Sequence, residues 1–366
     1  MKAAVVNSVG GGFTIEDIEI AEPIGREVLF DVKASGLCRS DLTLSTTNFG
    51  FPFPQVLGHE AAGIVTAVGP DVKEIKVGDH VVASLIQYCG HCRACRESRM
   101  YECEFPEETL RGPDEAPRLS RNGEPIFQTY GIAGFAEQAL VHEHQVAKID
   151  PEMPFPQACV IGCAVITGAG AALNTAQVRP GDTVAVVGLG GVGLSIVNGA
   201  RIAGAGRIIG VDTNPEKEEF GKRFGMTHFV NAGDPNAIEQ IFAATDGRGV
   251  DKSFEALGIV PTMETAIAAT RQGGDVYVAG VFKPEMEWTI NPLNEFFVHR
   301  RHIHAVYMGN TDIKTDIPQY VEFYQQGRLH LDDLVATEIS LDDIDATYQA
   351  MAEHHAGIGR VVITSF

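Results

Sequence analysis

The 366 residues predict an α/β protein of two domains, one mostly β and the other a doubly wound parallel sheet. Three observations carry this. The chain is too long for one ordinary domain and short for three. Its first third alternates β-branched runs with glycine turns, as in residues 28–34 and 60–69. After Pro180-Gly181-Asp182, strand-like and helix-like segments take turns, the signature of a parallel sheet with crossover helices.

The elements follow in order. Residues 1–7 hold one basic residue and no apolar stretch, so they read as a first strand and not as an export signal. Residues 28–34 and 60–69 extend a twisted β domain. Residues 104–130, rich in Glu, Pro and Arg and without periodicity, predict a long surface loop. A strand at 183–187, a helix from about 191, a strand at 207–211 and a helix from about 215 open the parallel sheet, which residues 252–256 and 275–280 continue. A helix at 316–326 and a strand at 360–364 close the chain.

Composition narrows the function. Hydrophobic residues make up 45% and charged residues 21%, a globular balance with no run read as long enough to cross a bilayer. A net charge of -20 without basic stripes speaks against nucleic acid. It also repels anions, so a phosphate-bearing ligand needs helix N-termini or individual arginines. The seven cysteines are Cys38, Cys89, Cys92, Cys95, Cys103, Cys159 and Cys163. In a large chain with a cytoplasmic character they point to thiolate metal sites and not to disulfides.

Cys89, Cys92, Cys95 and Cys103 form C-x2-C-x2-C-x7-C, a spacing that lets four thiolates close a tetrahedron around zinc, with an iron-sulfur cluster or redox thiols as the other readings. A closed four-thiolate shell has no place for substrate, so its role is folding. Cys38, His59 and Cys163, from three separate segments, make a second set of two thiolates and one imidazole with a fourth position open. Each alone reads more often as core than as ligand, and the conjunction carries the metal reading. Gly188, Gly190, Gly191, Val192 and Gly193 follow the apolar run 183–187 and open a helix. In that context the G-x-G-x-x-G pattern is a dinucleotide fingerprint more than a plain turn. Asp212 ends the next strand, where a carboxylate binds both ribose hydroxyls and selects NAD, and no arginine follows it to accept an NADP phosphate.

With these motifs in view, the chain resembles the zinc-dependent medium-chain alcohol dehydrogenases over nearly its whole length. The resemblance rests on Cys38-Arg39-Ser40-Asp41, Gly58-His59-Glu60, the four-cysteine segment, the glycine run and Gly359-Arg360-Val361-Val362. It implies a GroES-like mostly-β catalytic domain (1–164, with a zinc lobe at 86–104, and 308–366) plus a Rossmann domain at 165–307. It implies two zinc ions per chain: a catalytic one on Cys38, His59 and Cys163, and a structural one on the four-cysteine lobe. A primary alcohol bound as its zinc alkoxide would pass hydride reversibly to NAD, leaving the aldehyde.

The resemblance also assigns supporting roles. Asp41 would orient His59, unless it is a turn aspartate. Glu60 would stand near the metal and assist ligand exchange. Ser40 would pass the alcohol proton outward, unless it only caps a helix. Thr43 stands where some relatives complete this relay with a histidine. Lys217 would reach the ribose, Arg39 and Arg360 would neutralise pyrophosphate, and Thr167 would line the cofactor side of the pocket. Phe49, Leu85 and Val281 match pocket positions and are apolar here, which favours an apolar or aromatic small-molecule alcohol or aldehyde.

Relatives that act on the glutathione adduct of formaldehyde carry an arginine just past the lobe. Residues 104–108, Glu-Phe-Pro-Glu-Glu, are acidic and speak against that reaction. The loop after Cys103 resembles that of dimeric relatives, so a homodimer is expected, a tetramer being the other form. His299-Arg300-Arg301-His302-Ile303-His304 shows no carboxylate partner in sequence and reads as a solvated or interface face. Cys159 reads as a buried inert thiol. Two alternatives stand beside the dehydrogenase: a nicotinoprotein that keeps its NADH and uses another electron acceptor, and a binding or sensing protein without turnover.

Overall fold

A computed structural model describes residues 1–353 and 358–366. The chain forms two compact units: Met1–Cys163 with Asp312–Gly327 and Leu331–Phe366, and Ala164–Thr311 with Arg328–His330. The second unit thus reaches past residue 307 and gains a short return. That return belongs there because Asn198 Nδ2 donates to the His330 carbonyl at 2.9 Å and the Phe224 ring packs edge-on to His330.

In the first unit, among the described residues, a seven-stranded sheet centres on Glu27–Gly36. Its inward positions Val28, Phe30, Val32 and Ala34 are buried, as period-two alternation requires. This strand pairs antiparallel with Ala61–Val68 and with the C-terminal strand Arg360–Ser365, in registers Ser35↔Ala61 and Ile363↔Ser35. Three distant segments therefore end side by side just before Cys38.

The expected surface loop at 104–130 is in part interior. Strands Leu119–Arg121 and Glu124–Pro125 form there, and Leu119 and Ile126 are buried. Arg111 and Arg118 both donate to the buried Glu27 carboxylate, at 2.6 and 2.7 Å. Two of the charges that made the segment look solvated share one carboxylate far away in sequence, which composition does not show.

The same unit holds an acid-sensitive histidine. His142 Nδ1 accepts the His144 amide at 3.1 Å. Burial, joined by the charges of His144, Arg26 and Arg118, pushes its pKa down to about 3 from 6.5. The folded state binds the proton less readily than the unfolded state. Its stabilising contribution is therefore complete above pH 6.5 and is lost as pH falls towards 3. Denaturant unfolding at a series of pH values should show His142→Asn, which keeps an acceptor, with a flatter decline across that window. A slope equal to wild type would contradict the assignment.

In the second unit, among the described residues, six parallel strands run in the order His228–Asn231, Arg207–Asp212, Thr183–Val187, Val250–Glu255, Thr270–Val278, His302–Ala305. Numbered along the chain this is 3-2-1-4-5-6, and the order reverses between the first and fourth strands. The glycine loop leaves the first strand at that point.

Two readings change. The helical run Phe155–Thr175 contains an 18-residue stretch apolar enough to cross a bilayer (mean hydropathy 1.6), yet 83% of that stretch is buried inside the protein, as a core helix would be. His302 and His304 do have a carboxylate partner, since parallel pairing sets Asp275 beside them, its Oδ1 at 3.4 Å from His302 Nδ1 and 2.8 Å from His304 Nε2.

Candidate active site

Cys38 follows the central strand Glu27–Gly36 and precedes the helix Arg39–Thr46. His59 and Glu60 lead into the neighbouring strand, and the Gly36 amide donates to the Glu60 carbonyl at 2.9 Å. Cys163 comes from the buried helical run. One ligand atom from each of Cys38, His59, Glu60 and Cys163 lies within 4.8 Å of the others, and all four residues are buried. The sequence-predicted catalytic ligands are thus brought together, with Glu60 added.

Asp41 Oδ1 lies 3.0 Å from His59 Nδ1 and accepts the Gly58 amide at 3.2 Å. This directs Nε2 towards the sulfurs, the arrangement by which carboxylates orient metal-binding imidazoles. The Ser40 hydroxyl donates to Cys38 Sγ at 3.0 Å and lies 3.4 Å from His59 Nε2. Thr43 faces differently, its hydroxyl donating to the Arg39 carbonyl at 3.1 Å.

The electrostatics suit a cation. The Cys38 thiol is held well below its usual range by the hydrogen bond from Cys163 and by the charge of Arg360, against the effect of burial. Cys163, the donor in that pair and buried, is held well above. Burial opposes charge on His59, but Asp41 and Cys38 outweigh it and raise its pKa. Burial pushes the Glu60 carboxyl up to about 7 against the pull of Arg360. Glu60 Oε2 has no hydrogen-bond partner among the described residues. Two cysteines, an imidazole and an unsatisfied carboxylate oxygen in one dry cluster fit a soft, tetrahedral divalent metal, zinc above others.

The second cluster brings Cys89, Cys92, Cys95 and Cys103 within the same 4.8 Å. The Cys89–Cys95 and Cys92–Cys103 sulfur pairs are each 4.0 Å apart, close to the ~3.8 Å edge of a tetrahedron with 2.3 Å zinc-sulfur bonds. Main-chain amides of Cys89, Cys92, Cys95 and Phe105 donate to these sulfurs at 3.2 to 3.5 Å, which stabilises thiolates. The donor set fits structural zinc and leaves no ligand position open.

In the second unit the glycine loop has the shape a dinucleotide needs. Gly188 adopts φ +95°, a left-handed conformation that side chains resist. A Cβ on Gly190 would meet nothing within 4 Å, so the main chain there is open to a close approach. The helix Gly191–Ile202 starts at this point with Gly193 in its first turn. Asp212 is buried at its strand end. Its carboxylate accepts the amides of Leu189 (2.8 Å) and Asn214 (3.0 Å) and pairs with Lys217 Nζ (2.8 Å). Lys217 therefore stands beside the oxygens expected to take the ribose.

The remaining expected residues are placed as follows. Thr167 is buried and its hydroxyl lies 3.5 Å from Met308 Sδ. Phe49 packs half-buried on the core around Leu37, Leu57 and Phe135, Leu85 is half-buried on a neighbouring core, and Val281 is 65% exposed. Arg39 is exposed. Arg360, expected on pyrophosphate, is buried, with Nη2 donating to Glu60 Oε1 at 2.8 Å and lying 3.7 Å from Cys38 Sγ. Cys159 is fully buried, its sulfur 3.2 Å from the Pro156 carbonyl, and burial pushes its thiol up.

Two features escaped the sequence reading. One is the Glu60–Arg360 pair behind the cluster. The other is Tyr348, whose hydroxyl lies 3.2 Å from the Cys38 carbonyl oxygen and 3.4 Å from Asp41 Oδ2. Neither has a local signal, because each joins residues about 300 positions apart.

Comparison with known proteins agrees with this geometry. Residues 25–151 match the family model of the alcohol dehydrogenase GroES-like domain, and residues 191–326 that of zinc-binding dehydrogenases. An S-(hydroxymethyl)glutathione dehydrogenase of Escherichia coli is 38% identical, over 96% of this chain and 96% of its own. A class-P alcohol dehydrogenase of Arabidopsis thaliana is also 38% identical, over 96% and 94%. The crystal structure of benzyl alcohol dehydrogenase from Acinetobacter calcoaceticus superposes with a TM-score of 0.91 at 31% identity, covering 100% of this chain and 99% of that one. The chain belongs to the zinc-dependent medium-chain alcohol dehydrogenases.

Proposed function

We propose that this zinc-dependent alcohol dehydrogenase oxidises primary alcohols with apolar or aromatic substituents to aldehydes, reversibly and with NAD. In this reading it binds two zinc ions per chain and works as a cytoplasmic homodimer. The observation that carries the reading is the buried cluster of Cys38, His59 and Cys163, with Asp41 behind the imidazole.

When bound there, zinc supplies a Lewis acid that lowers the pKa of a hydroxyl towards neutrality. The chain's own groups do the rest. Asp41 holds the His59 ring, and the Glu60–Arg360 pair places compensating charges behind the sulfurs. Ser40 offers a hydroxyl beside two of the ligands, able to accept a substrate proton and hand it on. Thr43, tied to the Arg39 carbonyl, leaves water to carry that proton onward.

The benzyl alcohol dehydrogenase likeness and the apolar Phe49 and Leu85 favour an uncharged substrate. An anionic glutathione adduct would meet the exposed Glu104, Glu107 and Glu108 instead. The seven free cysteines suit a reducing compartment. For assembly, His302–Ala305 is the outer strand of its sheet, and beside it in sequence Leu293, Phe296, Phe297 and Val298 are exposed. An open edge next to exposed apolar residues is what a second copy would cover. Light scattering that gave a monomer would overturn the dimer, and a tetramer would extend it.

The test is NADH formation at alkaline pH with aliphatic, terpenoid and aromatic alcohols and with S-(hydroxymethyl)glutathione, each with and without a zinc chelator. Chelator-sensitive NADH from apolar primary alcohols is expected. Turnover of the glutathione adduct alone would overturn the substrate assignment.

Asp212 decides the cofactor. Asp212→Gly removes the carboxylate that would bind the ribose hydroxyls, a charged hydrogen bond worth about 1.5 to 3 kcal/mol. The KM for NAD should rise by roughly ten- to a hundredfold, with use of NADP becoming measurable. An unchanged KM for NAD would rule out this role.

A further inference from the structure

Tyr348 lies on the helix Ile344–Ala352 and is 2% exposed. Its ring stacks on Phe13 with centroids 4.8 Å apart and meets Phe135 edge-on at 6.1 Å. A phenylalanine would fill this apolar site equally well. The hydroxyl adds nothing to that packing, and burying one without partners costs about 1 to 3 kcal/mol. Here it reaches two acceptors, the Cys38 carbonyl at 3.2 Å and Asp41 Oδ2 at 3.4 Å. Asp41 spends its other oxygen on His59 Nδ1 and the Gly58 amide. One phenol thus touches the main chain of one expected metal ligand and the carboxylate that orients a second.

We propose that Tyr348 is a positioning residue for the catalytic zinc, its hydroxyl holding Asp41, and through it His59, together with the Cys38 main chain, so that the metal leaves slowly. The proposal rests on the zinc reading of the Cys38, His59 and Cys163 cluster. Partners of metal-bound histidines typically contribute ten- to a hundredfold in metal affinity. Tyr348 acts one hydrogen bond further out, so an effect of about three- to tenfold is expected from the same principle. The residue reaches the site from the C-terminal part of the chain, so it also makes docking of that segment a condition of tight metal binding.

The experiment measures zinc release from the holoenzyme to a chromogenic chelator, for wild type, Tyr348→Phe and Phe13→Leu. The phenylalanine variant keeps the ring and loses only the hydroxyl, whereas Phe13→Leu disturbs the ring packing and leaves the hydroxyl in place. The proposal expects faster release of one zinc in Tyr348→Phe alone, with the lobe zinc unaffected. It also expects a shift in the visible bands of the cobalt-substituted protein. Release and cobalt spectrum equal to wild type would overturn it. So would equal acceleration in Phe13→Leu, which would make Tyr348 a packing residue. Cys163→Ser separates this from failure of the zinc reading: if that variant keeps the wild-type zinc count, the cluster is not the metal site.

Discussion

His59→Ala is expected to take zinc from two ions per chain to one and to lower kcat/KM by several thousandfold, while the protein stays folded. The metal's charge stabilisation is worth several kcal/mol, and about 5 kcal/mol corresponds to that rate factor. The fold survives because the core around Leu37, Leu57 and Phe135 does not depend on the imidazole. What remains is an Asp41 without its imidazole and two buried cysteines, joined at most by the Glu60 carboxylate that already pairs with Arg360, a set too weak to hold zinc tightly. Metal analysis beside steady-state kinetics makes the check. A variant that keeps both ions, or keeps its turnover, would show that the metal or the reaction lies elsewhere.

Cys95→Ala should have an equally large effect of another kind. Here too one zinc is lost, but the consequence is unfolding of the lobe at residues 86–104. The buried cluster there consists of Cys89, Cys92 and Ala94, with Cys95 and Cys103 packed against it. Apart from the sulfurs it holds almost no apolar side chain, so the proposed metal would do the work a core does elsewhere. In peptides folded by zinc alone such a site supplies about 10 to 16 kcal/mol. Limited proteolysis should cut within 86–104 in the variant and not in wild type. Any turnover left should remain sensitive to the NAD-site substitution Asp212→Gly, because the lobe carries no reacting group. Intact resistance to protease with one zinc missing would mean that the lobe folds without metal.

The two experiments differ in what they lose, and the difference follows from the ligand sets. Three ligands with a side left open serve chemistry, and four closed thiolates serve folding. The first set is supported by a charge pair and by hydrogen bonds from distant segments, Arg360 and Tyr348 among them.

Much of this was legible in the linear chain. C-x2-C-x2-C-x7-C is a local pattern whose geometry is set by a few turns, so Cys89, Cys92, Cys95 and Cys103 could be assigned to one metal from spacing alone. The glycine run and Asp212 were legible because a strand, a tight turn and a helix N-terminus are consecutive in sequence. The alternation of strand and helix after residue 180 foretold a parallel sheet for the same reason. Cys38, His59 and Cys163 were recognised through resemblance, since nothing in their spacing brings them together.

What only the tertiary structure decided is everything carried by pairing across long separations. The antiparallel registers of Arg360–Ser365 and Ala61–Val68 on Glu27–Gly36 bring Arg360 and Glu60 behind Cys38. Arg360 consequently sits in an ion pair beside the sulfurs, and was not visible there from sequence. Glu27 pairs with both Arg111 and Arg118 and draws part of an apparently solvated loop into the interior. Asp275 joins His302 and His304 because parallel strands lie side by side. Motif spacing encodes contacts made within a few turns of chain. Strand register and helix docking encode the rest, and those are set by burial of the whole apolar pattern at once.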